Sequence, residues 1–438
     1  MILILILNPT GEVSFMFRST KSLLAASAAA LILVSASGVP STARAAAAPI
    51  QVTLDGKKLS LDAQPIVTAG RTLVPYSSIV QSLGGKATWN SSTRTVTATS
   101  GSDTVKLTAG SATAYINGKA TKLEAAPVIQ NGRTFVPLRL ITEAFGKWVT
   151  WSQSSRTVAI SSKLTLTTST GPFTLNKRPQ RIVTLSSSDT EMIYALGGTV
   201  VGRPTAMGAV NPPEAASAVE VGSTHGILFE KLASVKPDLV IASPSLASQK
   251  ATIEKLGAQV LLNSHNSYDQ IKSSLRLYGK LLGKETKAEE IAANMDRTVS
   301  SLKKPATKPK TLIVYGAPGS FVVALPTSYP GSFLELAGGE NVASKFPKMD
   351  TMPQYAELSM ERIVAANPDL ILLIAHGDAA EVKSAFKKQF ESNPAWNNLS
   401  AIKDDQFEIL PQNLFAANPG LRAPEAIKTI NKLLLQVN

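Results

Sequence analysis

An eleven-residue segment occurs twice in this chain, 131 positions apart, and the duplication limits the folds available to it. Residues 230–240 read Glu-Lys-Leu-Ala-Ser-Val-Lys-Pro-Asp-Leu-Val, and residues 361–371 read Glu-Arg-Ile-Val-Ala-Ala-Asn-Pro-Asp-Leu-Ile. Each copy predicts a short helix opened by a carboxylate, a Pro-Asp turn and a buried apolar strand. A helix–turn–strand unit used twice predicts two similar α/β lobes with a cleft between them.

Strands alternate with helices throughout the region that contains the two copies, which predicts two Rossmann-like parallel-sheet lobes with helices on both faces. We place an N-terminal lobe at residues 165–284 and a C-terminal lobe at residues 310–438. Apolar residues at helical spacing predict one long amphipathic helix between them, within residues 285–305. A single connecting helix argues against a large hinge closure.

Residues 50–162 contain a second repeat, with an offset of 62 positions. Residues 70–75 (Gly-Arg-Thr-Leu-Val-Pro) return as residues 132–137 (Gly-Arg-Thr-Phe-Val-Pro), and a Trp-led motif at Trp89 returns at Trp151. Short Thr- and Val-rich runs separated by Asn-Gly turns predict hairpins, with one helix per repeat. The segment is therefore expected to form a separate small α+β domain built from two repeats.

Composition excludes several kinds of site. The chain has 438 residues and no cysteine, so it cannot form a disulfide, a zinc–thiolate site, a thiol nucleophile or a lipidated cysteine anchor. Its formal charge of +13 favours an exported protein near an anionic cell wall or membrane surface. Nucleic-acid binding is the weaker interpretation, because the lysines are dispersed and no basic block is interleaved with aromatic residues.

The first 45 residues have the pattern of a signal peptide. Arg18 and Lys21 precede an apolar run, and Ala43-Arg44-Ala45 offers a cleavage site between small residues. Met16 is then the expected translation start. An uncleaved membrane anchor is the alternative, although the run is short for a membrane span. We expect the mature chain to be secreted or to lie on the extracellular cell surface.

The repeat of residues 50–162 resembles a known exported module. The pattern of Gly-Arg-Thr-Phe-Val-Pro-Leu-Arg, followed by Gly, Trp and Arg-Thr-Val, is similar to the copper amine oxidase N-terminal-like "stalk" domain. That resemblance implies a spacer or a module that contacts the wall. It implies no oxidase activity, because the module contains no histidine to hold copper.

The two lobes resemble the solute-binding proteins of ABC importers for iron-siderophores, haem and cobalamin. The resemblance is carried by Arg181 to Leu185, by the two copies of the eleven-residue segment and by Ala337 to Val342. It implies the class III periplasmic-binding-protein fold and a permease dimer as partner. The second lobe is similar in particular to haem-binding members of the Gram-positive iron-regulated surface determinant systems, through Tyr315 to Ala324 and Ala375-His376-Gly377.

Two of the three histidines flank the duplicated segment: His225 lies five residues before the first copy and His376 five after the second. In the similar haem binders a methionine of the first lobe and a histidine of the second hold the iron. His376 falls on the histidine position, and His225 replaces the methionine in a Gly-Ser-x-Met-Gly stretch. The resemblance thus implies haem as transported ligand with two axial imidazoles. Met207 is the alternative first-lobe ligand, and His265 is interpreted as a plain loop histidine.

The remaining site residues follow from what haem requires. Aromatic side chains should stack on the macrocycle unless they pack in the core, and hydroxyls at a helix N-terminus should meet the propionates. The aromatic candidates are Phe321, Tyr329, Phe333 and Tyr355, and the hydroxyl candidates are Ser186, Ser187 and Thr190. The resemblance also implies that one acid per lobe, Glu230 and Glu361, docks on arginines of the permease.

Three alternatives differ in function. A ferric siderophore or a corrinoid keeps the importer and changes the ligand, although siderophore binders present arginines and the first-lobe loops offer only Arg203. A wall-associated structural or adhesion protein would leave the lobes without a ligand. An enzyme is the weakest reading, because the sequence shows no nucleophile–base pair, phosphate loop or further carboxylate cluster. The solute-binding protein is expected to be a monomer.

Overall fold

The computed structural model describes residues 48–206, 209–223, 225–390 and 393–437. It also describes the backbone of two short strands, Ile6–Leu7 and Val13–Ser14, which pair antiparallel. Apart from those strands, the predicted signal segment and its expected start lie outside the described residues. Within the described ranges, no helix is both long enough and apolar enough to cross a membrane.

The 62-residue repeat is visible as two matching series of elements. The first series comprises strands Gln51–Leu54, Lys57–Lys58, Ile66–Thr68, Arg71–Pro75, Lys86–Asn90 and Thr95–Ser100, with helix Tyr76–Ser82. The second comprises strands Thr113–Ile116, Lys119–Lys122, Val128–Gln130, Arg133–Pro137, Trp148–Ser152 and Thr157–Ser161, with helix Leu138–Ala144. Strand Asp103–Thr108 joins the two series. Corresponding elements begin 62 residues apart, so the two segments use one local fold twice.

The two series meet through their central strands. Arg71–Pro75 pairs antiparallel with Arg133–Pro137, and Val74 lies opposite Val136, its own equivalent in the other series. The four-stranded sheet formed around that pair is therefore approximately two-fold symmetric. The hairpins of the domain turn where Asn-Gly pairs predict them: Asn117 and Gly118 have φ of 51° and 82°, the left-handed conformations that a two-residue type I′ turn requires.

The N-terminal domain packs on the first lobe through one buried tryptophan. Trp148 is 4% exposed, and its indole N–H donates a hydrogen bond of 3.0 Å to the carbonyl of Leu281. Arg178 donates to the carbonyl of Leu282 at 2.6 Å and pairs with Glu143 at 2.8 Å. Because Trp148 belongs to the same apolar core as the first-lobe helices, the two regions share a packed boundary.

The first lobe contains a five-stranded parallel sheet. Its strands, in spatial order, are Val219–Glu220, Gly202–Arg203, Ile182–Thr184, Leu239–Ala242 and Gln259–Leu262. The main helices are Ser187–Ala195, Phe229–Ser234, Lys250–Glu254 and Tyr268–Leu282. Two hairpins, Leu164–Thr168 with Gly171–Leu175 and Gly222–Ser223 with Gly226–Ile227, lie outside the sheet. The two central strands are fully buried, as apolar runs in a parallel sheet predict.

The second lobe has a mixed sheet, which corrects the expectation of parallel strands throughout. Its strands, in order, are Tyr355–Glu357, Ser320–Ala324, Lys310–Ala317, Leu370–Ala375 and Phe407–Ile409, and Glu340–Asn341 pairs beside them. Ala317 lies opposite Ser320, so only Pro318 and Gly319 form the turn. A two-residue turn reverses the chain, and the strands it joins must be antiparallel. The main helices are Tyr329–Ala337, Met360–Ala366, Ala379–Phe390 and Ala423–Leu434.

The predicted connecting helix is Glu285–Ser300, and it buries the apolar stripe that the sequence shows. Ala288, Ala292, Met295 and Val299 are its buried residues. It packs against Tyr268–Leu282 of the first lobe and against Ala423–Leu434 of the second. One apolar core therefore continues from the first lobe through this helix into the second lobe.

Candidate functional site

His376 lies at the end of the most buried strand of the second lobe. All six residues of Leu370–Ala375 are buried, whereas His376 itself is exposed. Its backbone N–H donates to the carbonyl of Gly316 at 2.8 Å, which continues the ladder one residue beyond the strand. The Gln412 amide donates to the carbonyls of Ala375 and Gly377 on either side. The histidine backbone is thus fixed while its ring faces solvent.

A tyrosine from the neighbouring strand holds the His376 ring. The Tyr315 oxygen lies 3.3 Å from Nδ1 of His376 and donates its hydrogen to the carbonyl of Ala416 at 3.0 Å. A phenol has only one hydrogen, so the hydrogen shared with the imidazole belongs to Nδ1. Burial raises the pKa of Tyr315, which keeps the phenol protonated. The tautomer set in this way leaves the lone pair of Nε2 free to bind a metal.

His225 has a different setting. It is exposed on the tight hairpin between Gly222–Ser223 and Gly226–Ile227, and its backbone N–H donates to the Ser223 hydroxyl at 3.2 Å. Gly222 is required there, because its φ is +90° and a Cβ would lie 2.1 Å from the Gly226 carbonyl oxygen. Thr224 and Met207, the alternative ligand, lie outside the described residues.

The three candidate hydroxyls have unequal surroundings. Ser186 is the N-cap of helix Ser187–Ala195: it accepts the Asp189 N–H at 3.2 Å and donates to the Asp189 carboxylate. Ser187 is exposed at the first helical position. Thr190 is buried, and its hydroxyl bonds to Thr184 at 2.7 Å and to the Ser186 carbonyl at 2.9 Å. The expectation of a ligand contact is therefore wrong for Thr190, whose hydrogen-bonding capacity is used within the fold.

The interpretation of His265 as a plain loop histidine is also wrong. His265 is only 7% exposed, and its Nε2 lies 2.7 Å from the Ser188 hydroxyl. Its Nδ1 is buried without a hydrogen-bond partner, 3.8 Å from the Asp189 carboxylate, which accepts the Tyr278 hydroxyl at 2.6 Å. The signal available in the sequence was its position directly after the strand Gln259–Leu262, where a sheet meets a cleft.

The aromatic candidates divide by exposure. Phe333 is fully buried, so it follows the alternative of packing in the core. Tyr329 is 8% exposed and donates its hydroxyl to the Phe415 carbonyl. Phe321 is half-buried with its ring edge-on to Phe386, 5.1 Å between centroids. Tyr355 is half-buried, and its ring lies 5.8 Å from that of Tyr315, the tyrosine that contacts His376.

A set of contacts between the lobes was not predicted. Glu191, on the first-lobe helix, accepts the Leu421 N–H at 3.3 Å and the Asn211 amide at 3.3 Å. Asn418 donates to the carbonyl of His265. Desolvation raises the pKa of Glu191. The same segment supplies the Ala416 carbonyl that receives the Tyr315 hydroxyl, so residues 412–422 contact both the His376 loop and the first lobe.

The two repeat acids occupy matching positions. Glu230 lies in the first turn of helix Phe229–Ser234 and Glu361 in the first turn of helix Met360–Ala366. Both side chains are exposed, and a negative charge in the first turn interacts favourably with the helix dipole. Each acid therefore suits its own helix and is accessible to a partner.

These features define a protein of mixed α/β content with a separate N-terminal domain, and comparison with known proteins identifies the family of each part. The Periplasmic binding protein family model matches residues 182–414, more than half of the chain. The chain therefore belongs to that family. The Copper amine oxidase N-terminal domain model matches residues 53–160. Both resemblances inferred from the sequence are confirmed.

Individual relatives are more distant. The "High-affinity heme uptake system protein IsdE" of Staphylococcus aureus (strain MRSA252) is 27% identical over 258 residues, covering 58% of this chain and 86% of that protein. The crystal structure of IsdE from S. aureus in complex with heme is 26% identical, with a TM-score of 0.52 over 58% of this chain and 99% of its own. An ABC transporter substrate-binding protein from Listeria monocytogenes EGD-e is 31% identical, with a TM-score of 0.52 over 59% of this chain and 98% of its own.

Proposed function

We propose that this chain is an extracellular substrate-binding protein that captures haem between its two lobes and delivers it to an ABC permease. The lobes, at residues 165–284 and 310–438, would form a class III binding-protein fold with the cleft at the carboxyl ends of the parallel strands. The two-lobed organisation, the family match and the heme-uptake relatives support the class of ligand. None of this chain's own groups is required to perform chemistry on the ligand.

The observation that carries the proposal is the hydrogen bond between Tyr315 and His376. A neutral imidazole that donates from Nδ1 has an unprotonated Nε2, and such a nitrogen is what haem iron accepts as an axial ligand. His225 would supply the second axial nitrogen from the first lobe. Two imidazoles in place of a methionine and a histidine would lower the reduction potential of the iron and favour Fe(III).

Docking to the permease would use the two exposed acids. Glu230 and Glu361 lie at equivalent turns of the duplicated unit, one on each lobe. A two-fold symmetric permease would meet one carboxylate with each half, and complementary charges of this kind fix orientation and accelerate association. The N-terminal domain, at residues 50–162, would hold the binding lobes at the cell surface through contact with the wall.

A siderophore is less well supported as ligand. Arg203 was the first-lobe arginine available to an anionic chelate, and its side chain is only 13% exposed and pairs with Glu220 at 3.5 Å. An arginine that is buried to this extent is not presented to a ligand. Haem instead needs neutral nitrogen ligands and apolar surface, which His376 and the half-buried ring of Tyr355 would supply.

A visible absorption spectrum after addition of hemin tests the proposal. We expect a sharp Soret band with low-spin features in the wild type, and its loss in the double variant His225→Ala, His376→Ala. Unchanged thermal unfolding of the double variant would show that the fold is intact. Hemin binding that is unchanged by both substitutions would contradict axial ligation. Binding of ferric siderophores but not of hemin by the wild type would show that the ligand is a siderophore.

A further inference from the structure

A groove in the N-terminal domain forms a second candidate binding site. Its volume is about 330 Å³, and both repeats line it. The first repeat contributes Asp62, Tyr76 and Trp89, and the second contributes Ile129 and Arg133. A groove of this size that combines apolar surface with a few polar groups has the character of a ligand site. Neither the haem-binding role nor the match to the domain family assigns a ligand to it.

One side of the groove is aromatic. The rings of Tyr76 and Trp89 are 6.5 Å apart between centroids and inclined by 34°, and both are only half-buried. Ile129, across the groove, leaves 42% of its surface in solvent. Two adjoining aromatic faces that remain partly exposed offer a flat apolar platform. The C–H faces of sugar rings fit such a platform, because they are apolar while the ring edges carry hydroxyls.

The other side of the groove is charged and ordered. Asp62 accepts a hydrogen bond from the Ser78 hydroxyl, which holds the pKa of Asp62 below its ordinary value. Arg133 pairs with the same carboxylate through Nε at 3.3 Å, and its side chain is 47% exposed. The Asp62 contact uses Nε and leaves much of the guanidinium in solvent, and guanidinium binds carboxylate or phosphate oxygens with two parallel hydrogen bonds.

The internal repeat shows that the aromatic pair is not a requirement of the fold. Leu138 stands in the second repeat where Tyr76 stands in the first, and it is 1% exposed in the domain core. Trp151 is the equivalent of Trp89; it is 40% exposed and donates its indole N–H to Gln153 at 2.8 Å. The same backbone position thus accepts an aliphatic core residue, and the first repeat has a tyrosine there that keeps part of its ring in solvent.

The charge of the domain indicates the sign of its ligand. Residues 50–162 contain twelve Lys and Arg and five Asp and Glu, a net of +7 out of the +13 of the whole chain. The binding lobes from residue 163 onward contain 29 Lys and Arg and 25 Asp and Glu, a net of +4 over more than twice as many residues. Positive charge concentrated on the smaller domain attracts a polyanion.

We propose that this groove binds an anionic polysaccharide. Sugar rings would stack on Tyr76 and Trp89, a carboxylate or phosphate substituent would pair with Arg133, and Asp62 would accept a sugar hydroxyl. The inference rests on the proposed wall contact of the N-terminal domain and gives that contact a site, but it does not depend on haem binding by the lobes.

Co-sedimentation of the full chain with isolated Gram-positive cell walls tests the inference. Three probes are needed: intact walls, the same walls stripped of phosphate-linked and uronate polymers, and soluble poly-glutamate as a polyanion without sugar rings. We expect saturable binding to intact walls that falls at least tenfold in affinity on stripped walls. Poly-glutamate should compete weakly, because it offers charge without a face to stack on.

The variants identify the groove. Tyr76→Leu copies the residue of the second repeat, so the fold should accept it, and Arg133→Gln removes the charge; each should weaken binding to intact walls about tenfold. Trp151→Ala is the matched control and should bind as the wild type does. Equal binding of stripped and intact walls, or wall binding unchanged in both groove variants, would overturn the inference. Wall binding that survives in the groove variants but is lost when residues 50–162 are deleted would keep the wall contact and place it elsewhere on the domain.

Discussion

The two histidines proposed to hold iron lie in loops of opposite character. His376 follows a strand whose six residues are all buried, and three groups outside its own loop, Gly316, Gln412 and Tyr315, fix its backbone or its ring. His225 lies on an exposed hairpin of two-residue strands, where Ser223 of the same hairpin binds its backbone N–H. One proposed ligand is thus held by the lobe core and the other by its own turn.

The two proposed iron ligands would therefore contribute differently to haem binding. A ligand fixed before binding costs little ordering entropy when haem arrives, whereas a ligand on a short hairpin must be ordered by the haem itself. We therefore infer that haem binds first to His376 and that His225 completes the coordination. The same substitution in the two loops is therefore expected to lower hemin affinity by different amounts.

Replacing His376 should have the largest effect. His376→Ala removes the pre-oriented Nε2, and we expect hemin affinity to fall about a hundredfold or more, measured by titration of the Soret band. His225→Ala, the matched change in the other lobe, should cost less because a water molecule can take the sixth position at an exposed hairpin. Equal losses in the two variants would contradict these unequal contributions.

Tyr315→Phe should weaken hemin binding about tenfold, the lower end of what removal of a metal ligand's hydrogen-bond partner costs. The change deletes the oxygen that accepts the Nδ1 hydrogen and keeps the ring. Tyr355→Phe is the control, since Tyr355 contacts Tyr315 through its ring. The spin state of the bound iron at saturating hemin reports how the His376 ring is positioned. It should be a mixture of high spin and low spin in Tyr315→Phe and should stay low spin in Tyr355→Phe. A fully low-spin Tyr315→Phe complex with wild-type affinity would show that the hydrogen bond between Tyr315 and His376 does not affect hemin binding.

His225→Met should change affinity little and the reduction potential clearly. It introduces the residue type that the sequence resemblance implies at this position, and a thioether in place of an imidazole would raise the potential of the iron. Spectroelectrochemistry of the bound haem measures this directly. A potential identical to that of the wild type would show that His225 is not an iron ligand, and the same measurement on Met207→Leu would then test the alternative.

Most of the fold was accessible from the sequence because its signals are local. The copies at 230–240 and 361–371 predict their helices and strands, and the strand Leu239–Ala242 has the bounds that its apolar run indicates. The connecting helix Glu285–Ser300 follows from its apolar spacing. The mixed sheet of the second lobe was not predicted. The short Pro318-Gly319 turn lies between two apolar runs, and the alternation of strands and helices alone does not show whether such strands run parallel or antiparallel.

The site was accessible only in part, because its decisive contacts join residues far apart in the chain. His376 could be selected by resemblance, but its partner Tyr315 lies 61 positions earlier. His265 looked like a loop residue, and only the fold shows it buried beside Ser188 and Asp189. Side-chain hydrogen bonds of this kind depend on how strands are ordered in the sheet, and no local pattern encodes that order.

The smallest predicted effect concerns Glu191, whose carboxylate joins the first lobe to the second through the Leu421 N–H. Burial raises the pKa of the Glu191 carboxyl above its ordinary value, so the folded state holds this proton more tightly than the unfolded state. Its contribution to stability is therefore present at low pH and is lost as pH rises through the folded pKa. In Glu191→Gln this loss should disappear, which denaturant unfolding between about pH 4 and about pH 8 would measure.

The exposed Glu340 provides the control, since Glu340→Gln should leave the wild-type slope of stability against pH intact. Hemin affinity at neutral pH should be the same in both variants if Glu191 only joins the lobes. Because the segment that contacts Glu191 also carries the Ala416 carbonyl behind Tyr315, a changed affinity in Glu191→Gln alone would have a different meaning. It would show that a change in the first lobe alters hemin binding at His376 through residues 412–422. The loops of His225 and His376 would then not bind hemin independently.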